Sequence, residues 1–168
     1  IKGKESLLNE INNNNNIFIS IIVDITKEND LNNLKKLTLK TLYNNNNLYL
    51  WSIINNAAIM KICHFELASI KEWRQMFDVN VFGTVNMMKI FLPILRKTKH
   101  SRIINIISAS IFLPPFTFSL YVSTKAAIKA CSDVLRNELK PFNVYISSIC
   151  PGGFNTNIYN NSKNYYDK

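Results

Sequence analysis

Tyr121 and Lys125 stand four residues apart in YVSTKAAIK, a segment that otherwise reads as a buried helix. Helical spacing puts them on one face, one turn apart. An unperturbed phenol titrates at about 10, too high for a base at neutral pH. A nearby ammonium stabilises the phenolate and lowers that value. The pair is therefore a candidate proton-transfer device. Alone the pattern is weak, because Tyr-x-x-x-Lys is more often a surface pair. Ser108 adds weight. It directly follows the apolar run RIINII (residues 102–107), at a strand's carboxyl end, where a hydroxyl can donate to a carbonyl or alkoxide oxygen. A turn serine is the plainer alternative. Asn80 is the third element. It lies in a long helical pattern among apolar neighbours, MFDVNVF (76–82), although asparagine is a mediocre helix former. A buried amide there needs partners, and a core-satisfied asparagine is an equal reading.

These residues need elements to position them. FISIIVD (18–24), LYLWSII (48–54), RIINII (102–107) and NVYISSI (143–149) are short apolar runs that predict strands. Residues 27–43, 69–97 and 119–140 carry helical periodicity. The second of these opens with Ser69-Ile70-Lys71-Glu72, a capping-box signature. The third stops at Pro141. Asparagine runs at 12–16 and 44–47 read as loops. The resulting order β-α-β-α-β-α-β predicts an α/β fold, a doubly wound parallel sheet covered on both faces. Such sheets bind ligands outside the carboxyl ends of their strands, the edge to which the singled-out residues belong.

The chain has 168 residues, about the size of one domain, and 47% of them are hydrophobic. The formal net charge is +9. That balance could favour an anionic partner such as nucleic acid, a membrane surface or a phosphorylated cofactor. No basic run exceeds two residues and no basic–aromatic stripe is visible, so a solvated basic face is the simpler reading and nucleic acid is not expected. Three cysteines, Cys63, Cys131 and Cys150, lie far apart without CxxC spacing, which argues against a disulfide framework or a metal site. Neither His64 nor His100 has a second ligand at metal spacing.

The set of motifs resembles the short-chain dehydrogenase/reductase family. Ser108 stands thirteen residues before Tyr121, as in that family's active-site motif. Asn55-Asn56-Ala57-Ala58 resembles its NNAG, Val79-Asn80-Val81-Phe82-Gly83 its N-x-x-G, and Val23-Asp24-Ile25-Thr26 its D-V-T. Pro151-Gly152-Gly153-Phe154-Asn155-Thr156 resembles its PG…T stretch. The segment FLPILRK (91–97) and PGGFNTNI (151–158) are similar to the hydroxysteroid, retinol and hydroxybutyrate dehydrogenase branch.

The resemblance implies an NAD(P)-dependent oxidoreductase that interconverts an alcohol and a carbonyl on a small lipophilic substrate: a steroid, retinoid or hydroxy acid. It implies Tyr121 as general acid/base, Lys125 as the group that lowers its pKa and holds ribose hydroxyls, and Ser108 as the residue that orients the substrate oxygen. Asn80 would hold a water in a relay from Lys125. Asp24, Asn56 and Ala57 would contact the adenosine, with Pro151, Gly152, Phe154 and Thr156 toward the nicotinamide. It further implies homo-oligomers through the long helices, with Trp73, Phe82 and Phe91 at the interface. Members of that branch often attach to endoplasmic reticulum or mitochondrial membranes through preceding segments.

Two departures stand out. Ala58 replaces the last glycine of NNAG, and Ile107 stands where many relatives have a serine. The four glycines form no TGxxxGxG loop, and the residue that selects NAD or NADP is not identifiable. Residues 1–168 are thus expected to be one incomplete Rossmann-type domain, without its first βαβ unit and its C-terminal substrate region. The alternative is a catalytically inactive relative kept for binding or scaffolding.

Overall fold

The computed structural model describes residues 19–45, 47–154 and 158. Their elements are α1 (Glu28–Asn44), β1 (Ser52–Asn55), α2 (Ile70–Phe77), a π-helical turn (Asp78–Gly83), α3 (Thr84–Leu95), β2 (Ser101–Ile106), α4 (Ser119–Leu139) and β3 (Val144–Ile149). The three strands are parallel, in the order β1-β2-β3. Ile53 pairs with Ile103, and Ile103 with Ile146.

The helix boundaries follow local chemistry. The capping box forms in full: Glu72 N donates to Ser69 Oγ at 3.3 Å, and Ser69 N donates to Glu72 Oε2 at 2.9 Å. Two of the free amides at the start of α2 are thereby satisfied. After α4 the chain makes a 3-10 turn at Lys140–Phe142, because Pro141 has no N–H to continue the helix. Asn143 then takes a left-handed φ of 55°, a conformation asparagine tolerates, and feeds β3. The long helical pattern at 69–97 is one helical path interrupted by the π-helical turn, which lies over Asn80.

The core forms where the sheet meets α3 and α4. Ile53, Ile103, Val144 and Ile146 pack against Met88, Phe91, Ile94 and Leu95 of α3 and Leu139 of α4, with Leu34 and Leu42 of α1 alongside. Both crossovers step the same way across the sheet, and right-handed crossovers of that kind lay their helices on one face. The other face of the sheet stays open among the described residues. Ile54 is 63% exposed and Ile149 47%. The expectation of a sheet covered on both faces is not met there.

Residues 19–24 make no ladder with any described segment, so the strand expected at 18–24 is absent from them. Ile19, Ile21 and Ile22 are exposed. Apolar, β-branched composition is not sufficient without a neighbouring strand to supply hydrogen bonds. The run at 48–54 enters the sheet only at Ser52. Of the residues expected at an interface, Phe91 is core, Trp73 packs against Met60 and Tyr121, and Phe82 is exposed.

Candidate active site

Helix α4 buries Leu120, Tyr121, Thr124, Lys125, Ile128 and Ser132 on one side, a stripe at helical spacing. Tyr121 packs with Met60, Met76 and Leu120, and Trp73 and Phe118 border the cluster. Lys125 is 5% exposed, and its Nζ donates to the Ile106 carbonyl oxygen at 2.9 Å. The ammonium also lies 5.6 Å from the centre of the Tyr121 ring, a cation–π distance. Burial lowers the Lys125 pKa from 10.5 to about 8. It therefore stays mostly charged at neutral pH, within reach of the ring whose phenolate it would stabilise. Ile106 takes one of the three N–H donors of the ammonium.

That same carbonyl closes β2, and Ser108 stands two residues beyond it. Backbone pairing continues past the strands. Ile107 N donates to Ile149 O at 2.7 Å, and Ala109 N to Pro151 O at 2.8 Å. Ser108 is thus held at the carboxyl edge of the sheet, next to the Ala109–Pro151 pairing. Its Oγ accepts from Ser110 N at 3.2 Å and from Ser110 Oγ at 2.8 Å. With both of these bonds incoming, the Ser108 proton remains available to an oxygen acceptor.

Asn80 is 2% exposed, and its side-chain amide makes three hydrogen bonds. Oδ1 accepts from Ile59 N at 2.8 Å, while Nδ2 donates to Ile59 O at 2.9 Å and to Thr124 Oγ1 at 3.0 Å. Thr124 Oγ1 in turn donates to the Tyr121 carbonyl at 2.7 Å. The Asn80 carbonyl accepts from Thr84 Oγ1 at 2.9 Å. Asn80 therefore ties the loop after β1 to α4 between Tyr121 and Lys125. Both of its N–H donors are used in this brace.

The residues expected at the dinucleotide spread more widely. Asn56 and Ala57 lie exposed just past β1, at the same sheet edge. Asn55 braces the sheet: its Nδ2 donates to Asn105 Oδ1 at 2.7 Å, and Asn105 Nδ2 donates to Ser132 Oγ at 2.8 Å. Asp24 sits in a local turn, its Oδ1 accepting from Thr26 N at 3.0 Å and Thr26 Oγ1 at 2.7 Å. Those bonds hold its carboxyl below the usual range. Asp24 lines a cleft of about 550 Å³ with Thr26, Gln75, Asp78, Phe82 and Asn86, apart from Tyr121 and Lys125. Gly152 and Phe154 are exposed, and Thr156 lies outside the described residues.

Three positioning groups were not singled out from sequence: Thr124, the Ile106 carbonyl and Ser110. Thr124 was the findable one, a hydroxyl on the buried stripe of YVSTK. The other two depend on backbone geometry. A smaller cleft of about 330 Å³, lined by His64, Phe65, Glu66, Phe116, Thr117 and Ser119, borders the start of α4.

A parallel sheet with serine, tyrosine and lysine at its carboxyl edge defines a Rossmann-type α/β domain. The chain belongs to the short chain dehydrogenase family, which it matches over residues 2–167. Estradiol 17-beta-dehydrogenase 2 of Rattus norvegicus is 42% identical over 123 residues, 71% of this chain and 31% of that protein. Mitochondrial D-beta-hydroxybutyrate dehydrogenase of Bos taurus is 37% identical over 105 residues, 62% of this chain and 30% of that protein. The chain thus spans less than a third of the length of these relatives. Among solved structures, a dehydrogenase/reductase from Sinorhizobium meliloti superposes with a TM-score of 0.80 at 21% identity, covering 92% of this chain and 59% of the other. A 3-ketoacyl-(acyl-carrier-protein) reductase from Brucella melitensis, complexed with NADH, gives 0.78 at 21% identity, covering 86% and 60%. These two likenesses establish the fold.

Proposed function

We propose that the chain carries the proton-transfer centre of an NAD(P)-dependent oxidoreductase that interconverts an alcohol and a carbonyl on a small lipophilic substrate. The observation that carries this reading is Lys125, buried, fixed to the Ile106 carbonyl and 5.6 Å from the Tyr121 ring. A buried cation without a carboxylate partner is costly, and its use at a phenol gives it a reason.

Tyr121 exchanges a proton with the substrate oxygen. Lys125 holds the phenolate form within reach of neutral pH. Ser108 donates to the same oxygen as charge develops on it, an electrostatic aid of the oxyanion type. Asn80 and Thr124 keep α4 in register with the loop that packs on Tyr121.

The residues fit a nicotinamide cofactor at this edge. Lys125 keeps two N–H donors beyond the one given to Ile106, which suits a pair of ribose hydroxyls. Such a cofactor, when bound, supplies the hydride chemistry. The open sheet face, with Ile54 and Ile149 exposed, supports the reading that further segments of a whole protein complete the domain. The lipophilic substrate class is supported by exposed apolar side chains near the site, including Phe112, Leu113 and Phe116. Exposed Phe82 supports pairing of the long helices between subunits.

The test is Tyr121→Phe in the whole protein, expected to abolish NAD(P)-linked alcohol oxidation while cofactor binding survives. Unchanged turnover would sink the assigned role. Residues 1–168 alone, lacking a TGxxxGxG loop to hold a pyrophosphate, are expected to bind dinucleotides very weakly. Micromolar binding of NADH or NADPH to this chain in calorimetry would contradict that.

A further inference from the structure

The edge of the sheet opposite the proton-transfer centre carries a different chemistry. Between α3 and β2 the chain reads Arg96-Lys97-Thr98-Lys99-His100-Ser101-Arg102, five basic residues in seven with no acid among them. The fold brings aromatic residues to this segment from before β1 and from the β3 region. Arg102 Cζ lies 5.1 Å from the Trp51 ring centre and 5.9 Å from that of Tyr145. His100, at a left-handed φ of 60°, stacks on Tyr145 at 5.9 Å and 7°. Arg96 Cζ sits 4.1 Å over Phe142. Tyr49, Trp51, Lys97, Thr98, Lys99 and His100 line a cleft of about 490 Å³. A basic–aromatic surface is thus assembled from three places in the chain.

Ordinary structural duties do not account for these cations. The carbonyls at the end of α3 already have donors. Arg96 N bonds to Leu92 O, Lys97 N to Ile94 O, and Thr98 N to Leu95 O. Ser101 Oγ also donates to Leu95 O, at 2.8 Å. The lysine heads are therefore not needed as caps. Ion pairs among the described residues lie elsewhere, and none contains Arg96, Lys97, Lys99 or Arg102. The cleft is of the size that small ligands occupy.

We propose that this cleft binds a phosphate-bearing ligand, with Lys97, Lys99 and His100 on the phosphate and Trp51 and Tyr49 against its less polar part. Two ammonium groups and an imidazole in one cleft, without a carboxylate among its lining residues, complement a multiply charged anion. Single-stranded nucleic acid fits less well. Stacking successive bases needs a row of open rings, and here Phe142 and Tyr145 already carry Arg96 and His100, which leaves only Tyr49 and the exposed part of Trp51. Those stacks instead hold Arg102 and His100 in place before a ligand arrives, which reduces the ordering cost of binding.

Trp51 provides the readout. It is one of two tryptophans, and Trp51→Phe assigns the signal against Trp73. The chain is titrated with sodium pyrophosphate at constant ionic strength, and separately with vesicles of phosphatidylcholine alone or mixed equally with phosphatidic acid. A saturable change in Trp51 emission is expected, with affinity falling about tenfold for Lys97→Ala and further for the Lys97→Ala/Lys99→Ala pair. Lys35→Ala/Lys36→Ala, an equal loss of charge on α1, should leave it unchanged. Response to pyrophosphate identifies a soluble phosphorylated ligand. Response only to the acidic vesicles identifies a lipid headgroup. Failure to saturate with either probe overturns the proposal. So does an equal response to sodium chloride, or undiminished binding by the Lys97/Lys99 variant with native circular dichroism.

Discussion

Replacing Asn80 with alanine tests what this residue is for. The substitution removes three hydrogen bonds from a side chain that is 2% exposed. Ile59 loses a partner for its N–H and for its C=O. Thr124 loses only an incoming bond, since its hydroxyl still donates to the Tyr121 carbonyl. A buried polar group left without a partner costs about 1–3 kcal/mol. Two such backbone groups, in a loop that is partly buried, predict a loss of about 3 kcal/mol. Set against a typical total of about 5–15 kcal/mol, that is a large fraction. Equilibrium unfolding in urea measures it directly, as a lower midpoint at unchanged slope.

Asn80→Asp sharpens the test. Aspartate keeps the acceptor for Ile59 N but turns a carboxylate toward Ile59 O and loses both donors. At pH 7 it should be at least as destabilising as alanine. Part of the loss should return as the pH falls and the acid protonates, because the neutral form regains one O–H donor. A loss below about 1 kcal/mol for Asn80→Ala would refute the bracing role, since even one buried group left unpaired costs about 1–3 kcal/mol. A large kinetic defect with native stability would point back to a solvent relay.

Two further outcomes follow from the geometry. The Lys125 pKa is lowered by burial to about 8, so the unfolded chain binds more protons than the native one between there and 10.5. The penalty for burying the ammonium is fully present below about pH 8 and relieved as pH rises through that window. The stability of the wild type relative to Lys125→Met should therefore rise by about 3 kcal/mol from pH 7.5 to 10.5, measured by urea unfolding at each pH; a flat difference would show that the burial is not felt. At Gly83, an added Cβ would stand 2.7 Å from both Cδ1 and Cγ1 of Ile25. Gly83→Ala should cost about 1–2 kcal/mol despite the better helix former, and Ile25→Ala should remove most of that cost in a double-mutant cycle. Additive effects would contradict the contact.

What could be read from the sequence was whatever is set locally. The capping box at Ser69 and Glu72, the stop at Pro141 and the spacing of Tyr121 and Lys125 each depend on a few consecutive residues, and each appears in the structure. What could not be read depends on which distant backbone arrives alongside. The Ile106 carbonyl that holds Lys125 is one example, and the meeting of Trp51, His100 and Tyr145 is another. The apolar run at 18–24 failed for the same reason, since a strand is a property of two segments.

Asn80 falls between these cases and shows where the boundary lies. Its residue type among apolar neighbours stated that partners were required, but a buried amide has no preference between water, cofactor and backbone until the fold chooses. Here the π-helical turn carries it to Ile59, while Thr124 reaches the same amide from α4. Tyr121 and Lys125 are consequently held by a polar brace on one side and an apolar cluster on the other. The proton exchange proposed for Tyr121 would gain from this arrangement. Its ring is fixed by packing that does not titrate, and the Lys125 ammonium 5.6 Å from it is set in place by a strand carbonyl.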